Sequence, residues 1–233
     1  GIVMSEFLLS LRIIAPIVAF CVFKYKKLQI IKSVTSLSRG ESSERDLIYH
    51  LTKSGIPANT IFHDLYIPNK GGYTQVDLVV PTNVGIFVFE VKDYSGWIFG
   101  NGKHESWTQI LNFGKEKHKF YNPIKQNEGH IIALRNSLEQ LKHIPIFSII
   151  VFYGSCEVKS LQNIPDNCGV IYSHQVGKLI NRIISTNPPA PYTDKWEIIR
   201  HLQTAVANGN NAEIVAAQRQ RARAAGTVRR RLY

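Results

Sequence analysis

Three charged residues stand where charge is expensive. Asp77 lies inside the apolar run TQVDLVV, residues 74–80, and Glu90 and Lys92 close the run VGIFVFEVK, residues 84–92. A carboxylate or ammonium in such surroundings must be paired or must bind a metal. Two carboxylates ending adjacent strands suit a hard divalent cation such as Mg2+, with Mn2+ as a substitute. A lysine beside them can orient a water or offset developing negative charge. The same residues also fit a plainer arrangement, a Glu–Lys salt bridge at a strand end beside a buried capping Asp. Spacing alone leaves both open.

The elements that must position these groups are strands. Side chains alternate along a strand, so Ile86, Val88, Glu90 and Lys92 share one face, and Phe87, Phe89 and Val91 the other. Both faces are apolar until Glu90, which predicts a central strand covered on both sides. Pro81, Thr82 and Asn83 turn the chain between the two strands. A further strand is expected over 61–67, joined to the Asp77 strand by the turn Asn69-Lys70-Gly71-Gly72. Ahead of it, residues 41–53 predict a helix with Leu47, Ile48 and Leu51 as its buried stripe. Glu44 falls one turn before that stripe, in a first turn that favours acids.

An Asp, about a dozen residues and then Glu-x-Lys is the spacing of PD-(D/E)XK nucleases, and more of residues 40–142 resembles the nuclease-related domain (NERD) family of that superfamily. The helix RGESSERDLIYHLTK resembles the family's opening helix, with Glu44 on its glutamate and Ser43 where a glycine is usual. Gln75, Val76 and Asp77 resemble its Q-apolar-D. GIFVFEVKDYSG resembles its G-apolar-E-apolar-K followed by glycine, and Trp107 and Asn122-Pro123-x-x-Gln126 resemble its later W and N-P-x-x-Q. The resemblance implies an α/β, restriction-endonuclease-like mixed sheet flanked by helices. It implies metal-dependent hydrolysis of phosphodiester bonds, with Asp77 and Glu90 holding Mg2+. Lys92 would assist the water, Gln126 would position Lys92, water or phosphate, and Glu44 would complete the site directly or through a water. The expected partner is nucleic acid, DNA ahead of RNA. A non-catalytic nucleic-acid-binding or scaffold module is the alternative.

Charge is distributed to the ends. The 233 residues carry 28 Lys/Arg and 17 Asp/Glu, a net +11. Residues 1–39 hold +5 and residues 213–233 another +5, which leaves the body at +1. A nearly neutral body must hold phosphate locally, through a metal and a few placed cations, while basic arms add affinity without sequence preference. Arg219, Arg221, Arg223, Arg229, Arg230 and Arg231 in the tail are candidates for this. So are Lys115, Lys117 and Lys119, interleaved with aromatics in a segment read as a loop.

Residues 7–23, FLLSLRIIAPIVAFCVF, form an apolar run with one charge, followed by Lys24, Lys26 and Lys27. This predicts a membrane anchor with the rest of the chain on the cytoplasmic side; the alternatives are a signal peptide or a packed amphipathic helix, with a cytoplasmic protein. The chain divides into residues 1–39 as anchor and linker, 40–187 as the nuclease-related domain, and 188–233 as a C-terminal helix and Arg-rich tail. Asn122-Pro123 starts a helix read to about Lys142, in which His130 is assigned a structural or solvent role. Trp196, Ile199, Leu202 and Val206 are the apolar positions of a helix capped near Asp194. Cys21, Cys156 and Cys168 lack C-x-x-C spacing, which argues against zinc or a disulfide framework. The sequence contains no Walker A, G-x-G-x-x-G or G-x-S-x-G motif.

Overall fold

The structure, a computed structural model, describes residues 2–226; Arg229, Arg230 and Arg231 lie outside the described residues. The sheet that carries the acidic strands has the order β1-β2-β3-β7-β9. It is built from β1 (Phe62–Asn69), β2 (Gly72–Thr82), β3 (Gly85–Asp93), β7 (Ile146–Tyr153) and β9 (Cys168–Tyr172). β1, β2 and β3 are antiparallel, and β3, β7 and β9 are parallel, so the sheet is mixed.

Helices cover both faces, as the apolar runs require. On one face Val79, Ile86 and Val88 meet Ala133 and Leu134 of α3 (Pro123–Ser137) and Ile198 and Leu202 of α5 (Lys195–Asn208). On the other, Leu78, Val80, Phe87 and Phe89 meet Leu47, Ile48 and Leu51 of α2 (Ser42–Lys53) and Val176 and Ile180 of α4 (Val176–Thr186). Ile86, Phe87, Val88 and Phe89 are all fully buried. Together they contribute on the order of 8 kcal/mol of apolar burial before ordering entropy is charged. That anchorage fixes where Glu90 and Lys92 emerge.

A second sheet, β6-β5-β4-β8, leans on the first. Its strands are β4 (Gly96–Asn101), β5 (Ser106–Leu111), β6 (Glu116–Tyr121) and β8 (Cys156–Gln162). Ile98 and Trp107 seat it against Ile150 and Phe152 of β7. The segment 115–119, read as a loop, is mostly strand β6, and its lysines are the solvent-facing charges of an edge strand.

Two other expectations change. α3 ends at Ser137 rather than Lys142, because Leu138 is extended (φ −150°, ψ 128°) before a 3-10 turn. Trp196 is 72% exposed, and the buried positions of α5 are Ile198, Leu202 and Ala205. The first helix, α1 (Ile2–Val34), takes in the apolar run and the first part of the linker. Within it, Leu8–Val34 is long and apolar enough to cross a membrane, with none of its most apolar window buried. Its last turns meet the body through Lys27, which pairs with Asp46, and Phe23, edge-on to Tyr49 at 6.0 Å.

Candidate active site

The site begins where the β2–β3 ladder stops. Its last pair toward the sheet end is Leu78↔Phe89, so Asp77 and Glu90 are the next residues on each strand. There the Asp77 side chain takes over the ladder: its Oδ2 accepts from the Val91 N–H at 2.8 Å. Gln75 Nε2 donates to Asp77 Oδ1 at 3.4 Å and to Asp64 Oδ1 at 3.1 Å. Asp77 and Glu90 are 7% and 2% exposed.

Burial drives the Asp77 carboxyl well above the usual carboxylate range, and the charges of Glu90 and then Glu44 push it further. Lys92 and the Val91 N–H pull the other way and do not win. Glu90 Oε1 accepts from Lys92 Nζ at 2.6 Å, and Lys92 Nζ also donates to Gln126 Oε1 at 3.0 Å. Burial works to strip the lysine proton, but Glu90, with Tyr94 and Asp77 behind it, holds the ammonium above its ordinary value. Lys92 is therefore a fixed cation and donor rather than a base.

The other Glu90 oxygen is different. Oε2 is buried and makes no hydrogen bond. It faces His130 Nδ1 at 3.4 Å, which is likewise buried and unbonded. Burial lowers the His130 pKa, with Lys92 assisting against Glu90, so the imidazole is neutral at pH 7 and the contact is not an ion pair. Two buried acids facing one another, one with an unsatisfied oxygen, match the donor set of a divalent cation. No group of three or more His, Cys, Asp or Glu that could hold a metal occurs among the described residues. A cation here would rest on Asp77 and Glu90, with the remaining positions left to a backbone carbonyl, water and substrate oxygens, as suits Mg2+.

Glu44 has a partner of its own. Its Oε2 lies 2.9 Å from His63 Nε2, and His63 Nδ1 lies 2.8 Å from Thr35 Oγ1. Gly40, at φ +61°, makes room: a Cβ there would fall 2.2 Å from Glu44 Oε2 and 2.4 Å from His63 Nε2. Asp64, also at positive φ (57°), receives Arg39 Nε at 3.0 Å.

The structure thus brings Asp77, Glu90, Lys92 and Gln126 together. Glu44 acts on Asp77 through its charge while bonded to His63. Lys117 and Lys119 share a face of β6 with Tyr121, and Lys115 precedes that strand. α6 (Ala212–Ala224) divides its arginines: Arg221 turns toward β2, whereas Arg219 and Arg223, four apart, share another face. Sequence reasoning missed His63, Asp64 and Arg39; His130, assigned a structural or solvent role, lies against Glu90. The signal for His63 and Asp64 was a polar pair inside the apolar run 61–67, which demands buried partners.

A profile of the nuclease-related domain matches residues 39–153. An uncharacterized protein of Bacillus anthracis is 30% identical over 152 residues, covering 65% of this chain and 70% of that one. No solved structure matches the chain.

Proposed function

Because the chain belongs to the nuclease-related domain family, we propose that it is a metal-dependent nuclease that hydrolyses phosphodiester bonds. The observation that carries this reading is the buried Asp77–Glu90 pair with Glu90 Oε2 unsatisfied. Mg2+, or Mn2+, held by these two carboxylates would supply Lewis-acid stabilisation of charge on the phosphoryl oxygens. Lys92 has three donors and gives two to Glu90 and Gln126. Its third is available to orient the attacking water or hold a phosphate oxygen. Gln126 fixes the lysine, and Glu44 adds a second negative charge near Asp77, which favours a cation there. α1 would tether the domain to a membrane, and Lys24, Lys26 and Lys27 after the apolar run favour the cytoplasmic side.

One observation favours a non-catalytic binding module instead: Lys92 Nζ lies on Glu90 Oε1, the geometry of a structural salt bridge. The two readings separate in one experiment. Cleavage of labelled DNA and RNA is followed with Mg2+, Mn2+ and EDTA, beside melting curves under the same conditions. The nuclease reading expects metal-dependent cleavage and a metal-induced rise in Tm. Neither effect in the wild-type protein leaves the binding module.

A further inference from the structure

Beside the acid pair, β2, α3 and α6 enclose a cavity of about 280 Å3. Gln126 and His130 line it, and these two side chains in turn touch Lys92 and Glu90, at 3.0 Å and 3.4 Å. Tyr73 of β2, Tyr121 of β6 and Lys125 of α3 line the wall, and Gln218 and Arg221 of α6 form the roof. No carboxylate is among the lining residues. Two cations, two phenol rings and several amides around one void form a surface for a polyanion whose bases are unpaired.

The roof is held in place from both ends. At its root, Asn208 Nδ2 donates to Tyr66 O at 3.0 Å, and Arg39 Nη1 reaches Asn210 Oδ1 at 3.5 Å. Asn211 caps α6 by accepting from the Glu213 and Ile214 amides. Further along, Arg221 Nη1 donates to Asn69 O at 3.3 Å. Gly72 permits this approach, because a Cβ there would fall 1.7 Å from Arg221 Nη1. α6 lies outside the residues that match the family.

We propose that this cavity is a subsite for an unpaired nucleotide next to the scissile phosphate, and that α6 restricts the substrate to single-stranded nucleic acid. Arg221 and Lys125, whose ammonium pairs with Glu105 in the free protein, hold the strand's phosphates, and Tyr73 and Tyr121 offer ring faces to a base. About 280 Å3 lies at the lower limit of small-ligand pockets and suits one nucleotide, not a base pair. The second strand of a duplex would meet α6. The proposal rests on the hydrolytic reading of Asp77 and Glu90, and its test is a binding measurement that stands apart from hydrolysis.

The full chain in detergent is titrated, in EDTA, against end-labelled twelve-nucleotide probes of DNA and of RNA, single-stranded and annealed to their complements. Fluorescence anisotropy reads the affinity over a salt series. Single strands should bind at least tenfold more tightly than duplexes. Arg221→Glu should weaken single-strand binding about tenfold and flatten the salt slope by about 0.7. Tyr121→Ala should cost about tenfold. Both should melt like the wild type; if the charge reversal lowers Tm, Arg221→Gln replaces it. Equal or tighter duplex binding, or wild-type affinity in the Arg221 and Tyr121 variants, overturns the subsite. Single-strand selectivity without cleavage in Mg2+ keeps the subsite and sinks the hydrolytic reading; cleavage with unaffected variants does the reverse.

Discussion

Two acidic clusters lie side by side, Glu44 of α2 with Asp64 of β1 and Asp77 of β2 with Glu90 of β3, bridged by Gln75, and they are built in opposite ways. In one, each acid has a cationic or imidazole partner: Asp64 with Arg39 at 3.0 Å, and Glu44 with His63 at 2.9 Å. In the other, Asp77 and Glu90 face each other across the end of a ladder, and Glu90 Oε2 and His130 Nδ1 have no hydrogen bond. The paired cluster ties the segment before α2 to β1. In the second, Lys92 pairs one Glu90 oxygen and leaves Oε2 unsatisfied, and Asp77 and Glu90 oppose each other's ionisation, which a bound cation would relieve. Satisfied buried charge is a structural signature, and unsatisfied buried charge at a cleft is a functional one.

The largest separation between the clusters comes from neutralising the second. Asp77→Asn and Glu90→Gln keep size and shape but remove the charge that a hard cation needs. Each should reduce Mg2+-dependent cleavage on the order of a thousandfold, which corresponds to about 4 kcal/mol of lost charge stabilisation. The Tm without metal should stay level or rise, because repulsion is removed. A large fall in Tm with cleavage retained would place this pair with the structural cluster.

The converse experiment breaks the first cluster. Arg39→Ala leaves Asp64 buried without its cation and should lower stability by about 3 kcal/mol. Cleavage per folded molecule, measured well below the melting transition, should persist. Glu44→Gln sharpens the boundary between the clusters. Its bond to His63 assigns it to the first, while its charge on Asp77 ties it to the second. We expect cleavage to fall less than in Asp77→Asn, by about tenfold, with a smaller loss of Tm than in Arg39→Ala. A thousandfold loss with metal affinity abolished would make Glu44 a ligand.

The sequence exposed the second cluster better than the first, for a physical reason. Asp77, Glu90 and Lys92 interrupt apolar runs, so local pattern flags each of them, and Gln126 is reached through the resemblance to the family's N-P-x-x-Q. The partners of the first cluster are 19 and 25 residues apart in sequence, and no periodicity links them. His130 was given a structural or solvent role because one histidine carries no ligand spacing; only the packing of α3 on β3 places it against Glu90. The second sheet was half visible, since β6 is an edge strand whose outward lysines read as a solvated loop. The docking of α6 left no apolar stripe to read. Ile214, Val215, Gln218 and Ala222 are only half-buried, and the anchor is a guanidinium on a backbone carbonyl.

The smallest effect expected is in pH, and it comes from Asp77. Its pKa in the fold is raised well above 3.8 by burial, then by Glu90 and Glu44. A group raised in the folded state binds its proton more tightly there than in the unfolded chain. The stability it contributes is fully present below its ordinary value and is lost as pH rises through the folded pKa. The metal-free domain should therefore lose stability as pH climbs from about 4. His130 works the other way: its pKa is lowered from 6.5, so its contribution is lost as pH falls through the lowered value. The two trends overlap, and Tm of the wild type alone would blur them. The difference in Tm between wild type and Asp77→Asn isolates the carboxyl, since both retain His130. Without metal, the wild type should drop relative to the variant by a few degrees as pH rises, at about 2–4 °C per kcal/mol. Saturating Mg2+ should shrink or reverse that drop, because a cation on Asp77 and Glu90 favours the ionised carboxylate. A difference that stays flat in pH, with and without Mg2+, would mean that Lys92 already balances the pair, and the contrast between the two clusters would disappear.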